Sequence, residues 1–290
     1  MNTDSYLSVV IVDDGSEELM RQCLRSVRAA TESLDCEIGL VINSSADNLA
    51  SELQEKTPAV HLVNADKEGG ILSAVNRAIE CCSGEYLLLL KSTTVVGEGM
   101  LRTLCYFMDE QLNAGALGVR MLDCQGRYLP ESRRVFPSPW LSFCQLFGLT
   151  KVVTGGNITA GSYLPELNSD SASPTDVVSN GFLLLRKAVL EEMGLFDESF
   201  DYRWADIDLL YRINRAGYLN YYYPERVVSY RNERLNRKNY PFSKSFYDAM
   251  RQFLRKHHRR SALFVNGGIA LRTGIQSLFS SSSKTKQAKD

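Results

Sequence analysis

The sequence predicts an α/β domain, a sheet of short buried strands covered by helices on both faces, with a basic helical extension behind it. Three observations carry this. Short apolar runs alternate with stretches of helical periodicity from Ser8 to Leu90. The links between them are brief and rich in turn-forming residues. The chain has 290 residues, 44% of them hydrophobic and 23% charged, enough to bury a substantial core.

The elements follow in order. Ser8-Val9-Val10-Ile11-Val12 is an apolar run ending at Asp13-Asp14-Gly15-Ser16, a turn and helix-capping signal in which one of the two aspartates is the expected cap. Leu19, Cys23, Leu24 and Val27 mark the apolar face of a first helix. Glu37 to Ile42 reads as a second strand with Asn43-Ser44-Ser45 at its exit. A helix around 48–56 precedes the strand His61-Leu62-Val63, and Gly69-Gly70 opens a helix through Ala74, Val75, Ala78 and Ile79. Tyr86-Leu87-Leu88-Leu89-Leu90 is the strongest buried-strand signal. In such a sheet ligands bind at the carboxyl ends of the strands, so the exits at Asp13, Asn43 and Lys91 are the places to look.

Further on, Gly118 to Leu122 reads as a strand, Asp123-Cys124-Gln125-Gly126 as a hairpin-type turn, and Pro130-Glu131-Ser132-Arg133-Arg134 follows without a pattern. Residues 151–175 read as a long loop, either a lid or a disordered stretch. Val177 to Leu185 reads as one buried strand, and helix patterns follow at Lys187–Met193 and from Asp206 to Gly217. The predicted boundary falls at 240. Residues 1–240 form the α/β domain, and residues 241–290 an amphipathic extension ending in a disordered stretch after Ser280. In the extension Phe246, Met250, Phe253 and Leu254 share a helical face, while Arg251, Arg255, Lys256, His257, His258, Arg259 and Arg260 crowd the rest. That pattern suits either an anionic membrane surface or packing on the domain with a solvated basic face. The apolar stretch 262–279 is too interrupted to read as a membrane span.

Composition excludes several classes. A net charge of −1 gives no generic attraction to nucleic acid. Seven irregularly spaced cysteines and three histidines form no metal-ligand pattern. The N-terminal residues show no secretory pattern, so reduced thiols in a cytoplasmic protein, peripheral to the inner face of the membrane if the extension binds lipid, are the expectation.

The stretch from Ser179 to Tyr230, with Asp206-Ile207-Asp208-Leu209 at its centre, and Gly84-Glu85-Tyr86 leading into four leucines, resemble the inverting, nucleotide-sugar-dependent glycosyltransferases of family two, and among them bacterial rhamnosyltransferases. The resemblance covers residues 7 to about 235 and rests on the ordered series of motifs. It implies the GT-A fold, a Rossmann-like mixed sheet with helices on both faces. It also implies a nucleotide-sugar donor and a glycan or lipid-linked acceptor in surface polysaccharide assembly.

The family's loop ends in Glu-Asp-x-Asp-Leu; here the glutamate position is Ala205, and Asp206 stands where the family has its catalytic base. Asp206 also reads as a helix N-cap, and Asp208 as a structural partner of Arg212. On the acceptor side the resemblance places Asn180-Gly181 beside the donor sugar, and Trp204 either stacks on an acceptor sugar or packs in the core. On the donor side it points to Asp13, Asp14, Asn43, Asn76, Lys91 and Thr93.

The departures cluster around the donor. After the leucine strand the family carries acids that hold a divalent cation; here Lys91-Ser92-Thr93-Thr94 follows, and the family's later histidine is Ser229. No metal ligand and no cofactor is therefore expected. Two readings result. In one, Lys91 stabilises the leaving diphosphate in place of the metal, with Arg226 or Arg231 assisting. In the other, the chain is a pseudoglycosyltransferase that binds a glycan or a partner glycosyltransferase. A nucleotidyltransferase is a weaker third reading, since that chemistry also needs metal-binding acids.

Overall fold

In the computed structural model, which describes residues 6–13, 16–43, 60–65, 70–140, 144, 163–165, 171–230 and 244–259, strands and helices alternate as the pattern predicts. β1 (Leu7–Val12) leads through α1 (Glu17–Thr31) to β2 (Cys36–Asn43). β3 (Val60–Ala65), α2 (Gly70–Glu80), β4 (Tyr86–Lys91), β5 (Thr94–Val95), α3 (Met100–Glu110) and β6 (Ala114–Leu122) follow. A short 3-10 turn (Pro130–Ser132) precedes β7 (Arg133–Arg134), β8 (Ser173–Thr175), β9 (Val177–Val178), β10 (Phe182–Arg186), α4 (Lys187–Met193), α5 (Tyr202–Arg215), β11 (Leu219–Ser229) and α6 (Lys244–His257). The helix expected around 48–56, the stretches 151–162 and 166–170, the segment 262–279 and the C-terminal end after Ser280 lie outside the described residues.

Among the described residues nine strands form one sheet in the order β3-β2-β1-β4-β10-β6-β11-β5, with β8 also pairing to β11. The first four are mutually parallel. β10 then enters antiparallel between β4 and β6, so the sheet is mixed. A separate two-stranded ribbon joins β7 to β9. The single strand expected over Val177–Leu185 is thus two. The chain turns at Ser179–Gly181, where the Phe182 N–H donates to the Ser179 carbonyl at 3.2 Å and the Gly181 N–H to the Ser179 hydroxyl at 3.1 Å. β9 and β10 consequently join different sheets, a break that an unbroken apolar run does not reveal.

Side-chain alternation divides the core between two faces. Leu7, Val9 and Ile11 of β1 pack with Met20, Cys23, Leu24 and Val27 of α1 and with Met100, Leu104 and Met108 of α3. Each such aliphatic burial contributes about 1.5–3 kcal/mol. α1 is started by Ser16, whose hydroxyl accepts the Leu19 N–H at 3.5 Å, with Glu17 and Glu18 at the favourable end of the helix dipole. The cap is therefore Ser16 and not an acid of the Asp13-Asp14 pair, because the Asp13 N–H still belongs to the strand ladder, donating to the Val41 carbonyl.

The chain divides into two compact units, residues 1–134 with 166–232, and residues 135–165 with 233–290. The sheet belongs to the first. In the second, α6 buries Phe246, Met250, Phe253 and Leu254 and exposes Arg255 and Lys256. No helix among the described residues is long and apolar enough to cross a membrane. All seven cysteines are unpaired.

Candidate active site

The parallel strands β2, β1 and β4 end at one edge of the sheet. Val12 is level with both Val41 and Lys91, so Asp13, Asn43 and Lys91 stand at the exits of three neighbouring strands. The side chain of Asn43 and all of Asp14 lie outside the described residues. Antiparallel β10 begins at the same edge, and its preceding turn is bonded to the exit of β4. The Lys91 N–H donates to the Gly181 carbonyl at 3.2 Å, and the Thr94 hydroxyl donates to the same oxygen at 3.1 Å.

α5 brings the acid to this edge. Asp201 caps the helix, its carboxylate accepting the Arg203 N–H at 2.9 Å, and Tyr202 begins it. Asp206 is therefore not the N-cap expected from the sequence but lies in the second turn, 1% exposed. Its Oδ1 accepts the Ile207 N–H at 2.8 Å and its Oδ2 is 2.7 Å from Nη2 of Arg134 on β7. Burial pushes its carboxyl above the usual aspartate value; the Arg134 charge, the Ile207 N–H and the Lys91 charge pull the other way, and burial wins. Tyr202, one turn earlier on the same helix face, receives the Lys91 ammonium over its ring at 5.5 Å. Asn180 fixes that first turn by donating its amide N–H to the Tyr202 carbonyl at 3.0 Å. One cluster thus joins Lys91, Tyr202, Asp206, Arg134 and Asn180.

Other residues singled out from the sequence fall elsewhere. Asn76 is 7% exposed, its amide engaged by both backbone groups of Phe196 and by Glu198, so it ties α2 to the loop before α5. Trp204 is 3% exposed, the packed position of its two readings. Asp208 pairs with Arg212 at 2.9 Å, as their spacing predicts. Arg226 is exposed on β11, and Arg231 lies outside the described residues. Sequence reasoning gave no role to Arg134 or Tyr202. Neither belongs to a spacing pattern, and Arg134 reaches Asp206 across 72 positions only because β7 pairs with β9.

The two places where the resemblance expects metal-side groups are neighbours. Ser229 pairs with Thr94, and the Tyr230 N–H donates to the Thr93 carbonyl at 2.8 Å. The side chains gathered there are hydroxyls, those of Ser92, Thr93, Thr94 and Ser229, all buried. The Thr93 hydroxyl oxygen makes no hydrogen bond among the described residues. A divalent cation seeks anionic oxygen ligands, and here it would meet neutral hydroxyls beside the Lys91 ammonium. Among the described residues this donor set does not fit a divalent cation.

The mixed sheet with a polar site at its carboxyl edge is that of the GT-A glycosyltransferases. The fold is similar to a crystal structure of GalNAc-T7 with UDP, GalNAc and Mn2+ (TM-score 0.59, 13% identity, 80% of this chain and 45% of that one). It is also similar to residues 1–349 of S. aureus TarS (TM-score 0.53, 16% identity, 86% of this chain and 64% of that one). This chain therefore spans less than two thirds of either solved chain. Residues 8–194 match the family model described as glycosyl transferase family 2, and the chain belongs to that family. Among its relatives, an N-acetylglucosaminyl-diphospho-decaprenol L-rhamnosyltransferase of Mycobacterium tuberculosis is 26% identical over 233 residues, covering 77% of this chain and 75% of that protein. A low-salt glycan biosynthesis hexosyltransferase, Agl10, of Haloferax volcanii is 21% identical over 215 residues, covering 73% and 62%.

Proposed function

We propose that this glycosyltransferase moves a sugar from a nucleoside-diphosphate donor to a glycan or lipid-diphosphate-linked acceptor in surface polysaccharide assembly, without a divalent cation. The observation that carries the reading is the meeting of a buried acid, Asp206, and a strand-end ammonium, Lys91, in one cluster at the carboxyl edge of the sheet. Family membership and the rhamnosyltransferase and hexosyltransferase relatives favour a working transferase over a pseudoenzyme.

In this mechanism Asp206 takes the proton of the acceptor hydroxyl. The acceptor oxygen forms a bond to the anomeric carbon as the bond from that carbon to the diphosphate oxygen breaks on the opposite side, inverting the centre. The nucleoside diphosphate leaves with the electron pair. Lys91 meets its growing charge, and the buried Thr93 hydroxyl offers it a hydrogen bond. A carboxylate raised by burial is a stronger base than one in water, which suits the task.

The basic face of α6, with Arg255 and Lys256 exposed, suits an anionic leaflet, where a lipid-linked acceptor is presented. Binding to phosphatidylglycerol vesicles that survives Arg255→Glu and Lys256→Glu together would remove that face from the contact.

Calorimetric titration with uridine, guanosine, thymidine and cytidine diphosphates, with and without manganese, tests the donor site. Binding of one nucleotide without metal is expected and names the donor class. No binding by any of them returns the chain to the pseudoenzyme reading, with a glycan or a partner glycosyltransferase as its ligand.

A further inference from the structure

We infer that Arg134 is a positioning residue for the transfer reaction, its guanidinium holding the Asp206 carboxylate in the orientation in which it receives the acceptor proton. The inference rests on the transferase reading above.

The backbone of Arg134 is built to stay in place. Ser132, fully buried, receives the Met121 N–H on its hydroxyl at 3.0 Å and donates that hydroxyl to the Leu129 carbonyl at 2.6 Å, fastening the 3-10 turn to β6. The next two residues pair with Val178 and Val177 of β9. A short ribbon anchored at both ends therefore delivers the guanidinium to α5. The acid is anchored too, one turn from a capped helix start whose first carbonyl is held by Asn180.

The contact itself has the geometry of an orienting bond. Each carboxylate oxygen has one donor, Ile207 N–H on Oδ1 and Arg134 Nη2 on Oδ2, which fixes the plane of the group while each oxygen keeps a further lone pair. The arginine–aspartate pair elsewhere on the same helix differs. There Arg212 spreads its guanidinium over Asp208 and three backbone carbonyls at the end of α4, a purely structural clasp. Among the described residues the charges that act most on Asp206 are those of Arg134 from β7 and Lys91 from β4, and Tyr202, one turn earlier on the same helix, holds the Lys91 ammonium over its ring. Lys91 is assigned to the leaving diphosphate, which leaves Arg134 as the cation that stays with the base. Ala205 occupies the position where the resembling family has a second acid, so no carboxylate stands there beside the pair.

The experiment compares the wild-type chain, Arg134→Gln and Arg134→Lys in transfer from UDP-, dTDP- and GDP-hexoses to an octyl-linked N-acetylglucosamine, as kcat and KM across pH, with thermal melts alongside. Arg134→Gln removes the charge that favours the ionised acid. The acid limb of kcat/KM is expected to move to higher pH by about one to three units. At neutral pH kcat should fall on the order of 100-fold, with donor KM nearly unchanged. Arg134→Lys keeps the charge but not the planar fork, so its limb stays close to wild type while kcat falls less than in Arg134→Gln. A merely structural arginine would lower the melting temperature and leave the limb where it is; that result overturns the inference while the transferase reading stands. If Arg134→Gln does not fold, unchanged kcat in Arg134→Lys overturns it equally. Absence of turnover by the wild-type chain with every donor overturns the transferase reading, and this inference with it.

Discussion

Asp208 and Arg212, one helical turn apart on α5, clamp that helix to the end of α4. Arg212 Nε is 2.9 Å from Asp208 Oδ2, and its other nitrogens donate to the carbonyls of Met193, Gly194 and Leu195. Those carbonyls close a helix that has no continuing turn to satisfy them. Asp208 is fully buried, so Asp208→Ala leaves the guanidinium without its counter-charge. A loss of about 2–3 kcal/mol is expected in urea unfolding, at the low end for a broken buried pair because Arg212 remains partly solvated. A loss below about 0.5 kcal/mol would mean that packing alone joins the two helices.

Lys91 yields a prediction about metals. Wild-type transfer should be insensitive to EDTA, and Lys91→Ala should lower kcat by about 10²–10³, the usual loss for one electrostatic stabiliser of a leaving charge. Strict dependence of the wild-type chain on added manganese would sink this assignment.

Asp206 should leave a mark on stability as well as on catalysis. Burial raises its folded-state value above that of the unfolded chain. Its contribution is therefore fully present below the ordinary aspartate value and is lost as pH rises through the folded-state value. Asp206→Asn should remove that downward slope from the stability–pH curve while abolishing transfer. Equal slopes in the two proteins would show that the acid is not strained by its burial.

Glu37 should behave with the opposite sign. Burial works upward on its carboxyl, but hydrogen bonds from the Ser8 and Ser83 hydroxyls and from the Ser83 and Gly84 N–H groups outweigh it, leaving the group below its usual value. Its contribution is present above the ordinary glutamate value and lost as pH falls through the lower folded-state value. Glu37→Gln should cost about 1–2 kcal/mol at neutral pH and flatten the acid side of the unfolding curve. An unchanged acid side would remove Glu37 as a source of acid sensitivity.

The parts of the fold written in local pattern were legible from residues alone. β1, β4 and α1 announce themselves through apolar period and turn residues, and the resemblance points to Asp206 and Lys91, which the fold brings into one cluster. What stayed hidden depends on distant chain. The break at Ser179–Gly181 exists because β10 has partners, β4 and β6, that β9 does not. α5 starts at Tyr202 and not at the expected Asp206 because Asp201 caps it from within a loop whose acids all look alike in sequence. Arg134 had no local signal, since its significance comes from a ribbon closed across more than forty positions.

β10 has one more consequence, for the order in which the molecule can be made. Leu184 is level with Leu88 on one side and Leu117 on the other, so this late strand is the seam between the half of the sheet bearing Lys91 and the half leading to Arg134. Until residue 186 has emerged from the ribosome, the leucine run of β4 presents an open apolar edge, the kind of surface on which nascent chains pair wrongly. A fragment ending at β6 should accordingly aggregate rather than persist as a nucleotide-binding module. The Lys91 half and the Arg134 half of the sheet therefore become available to the cell together.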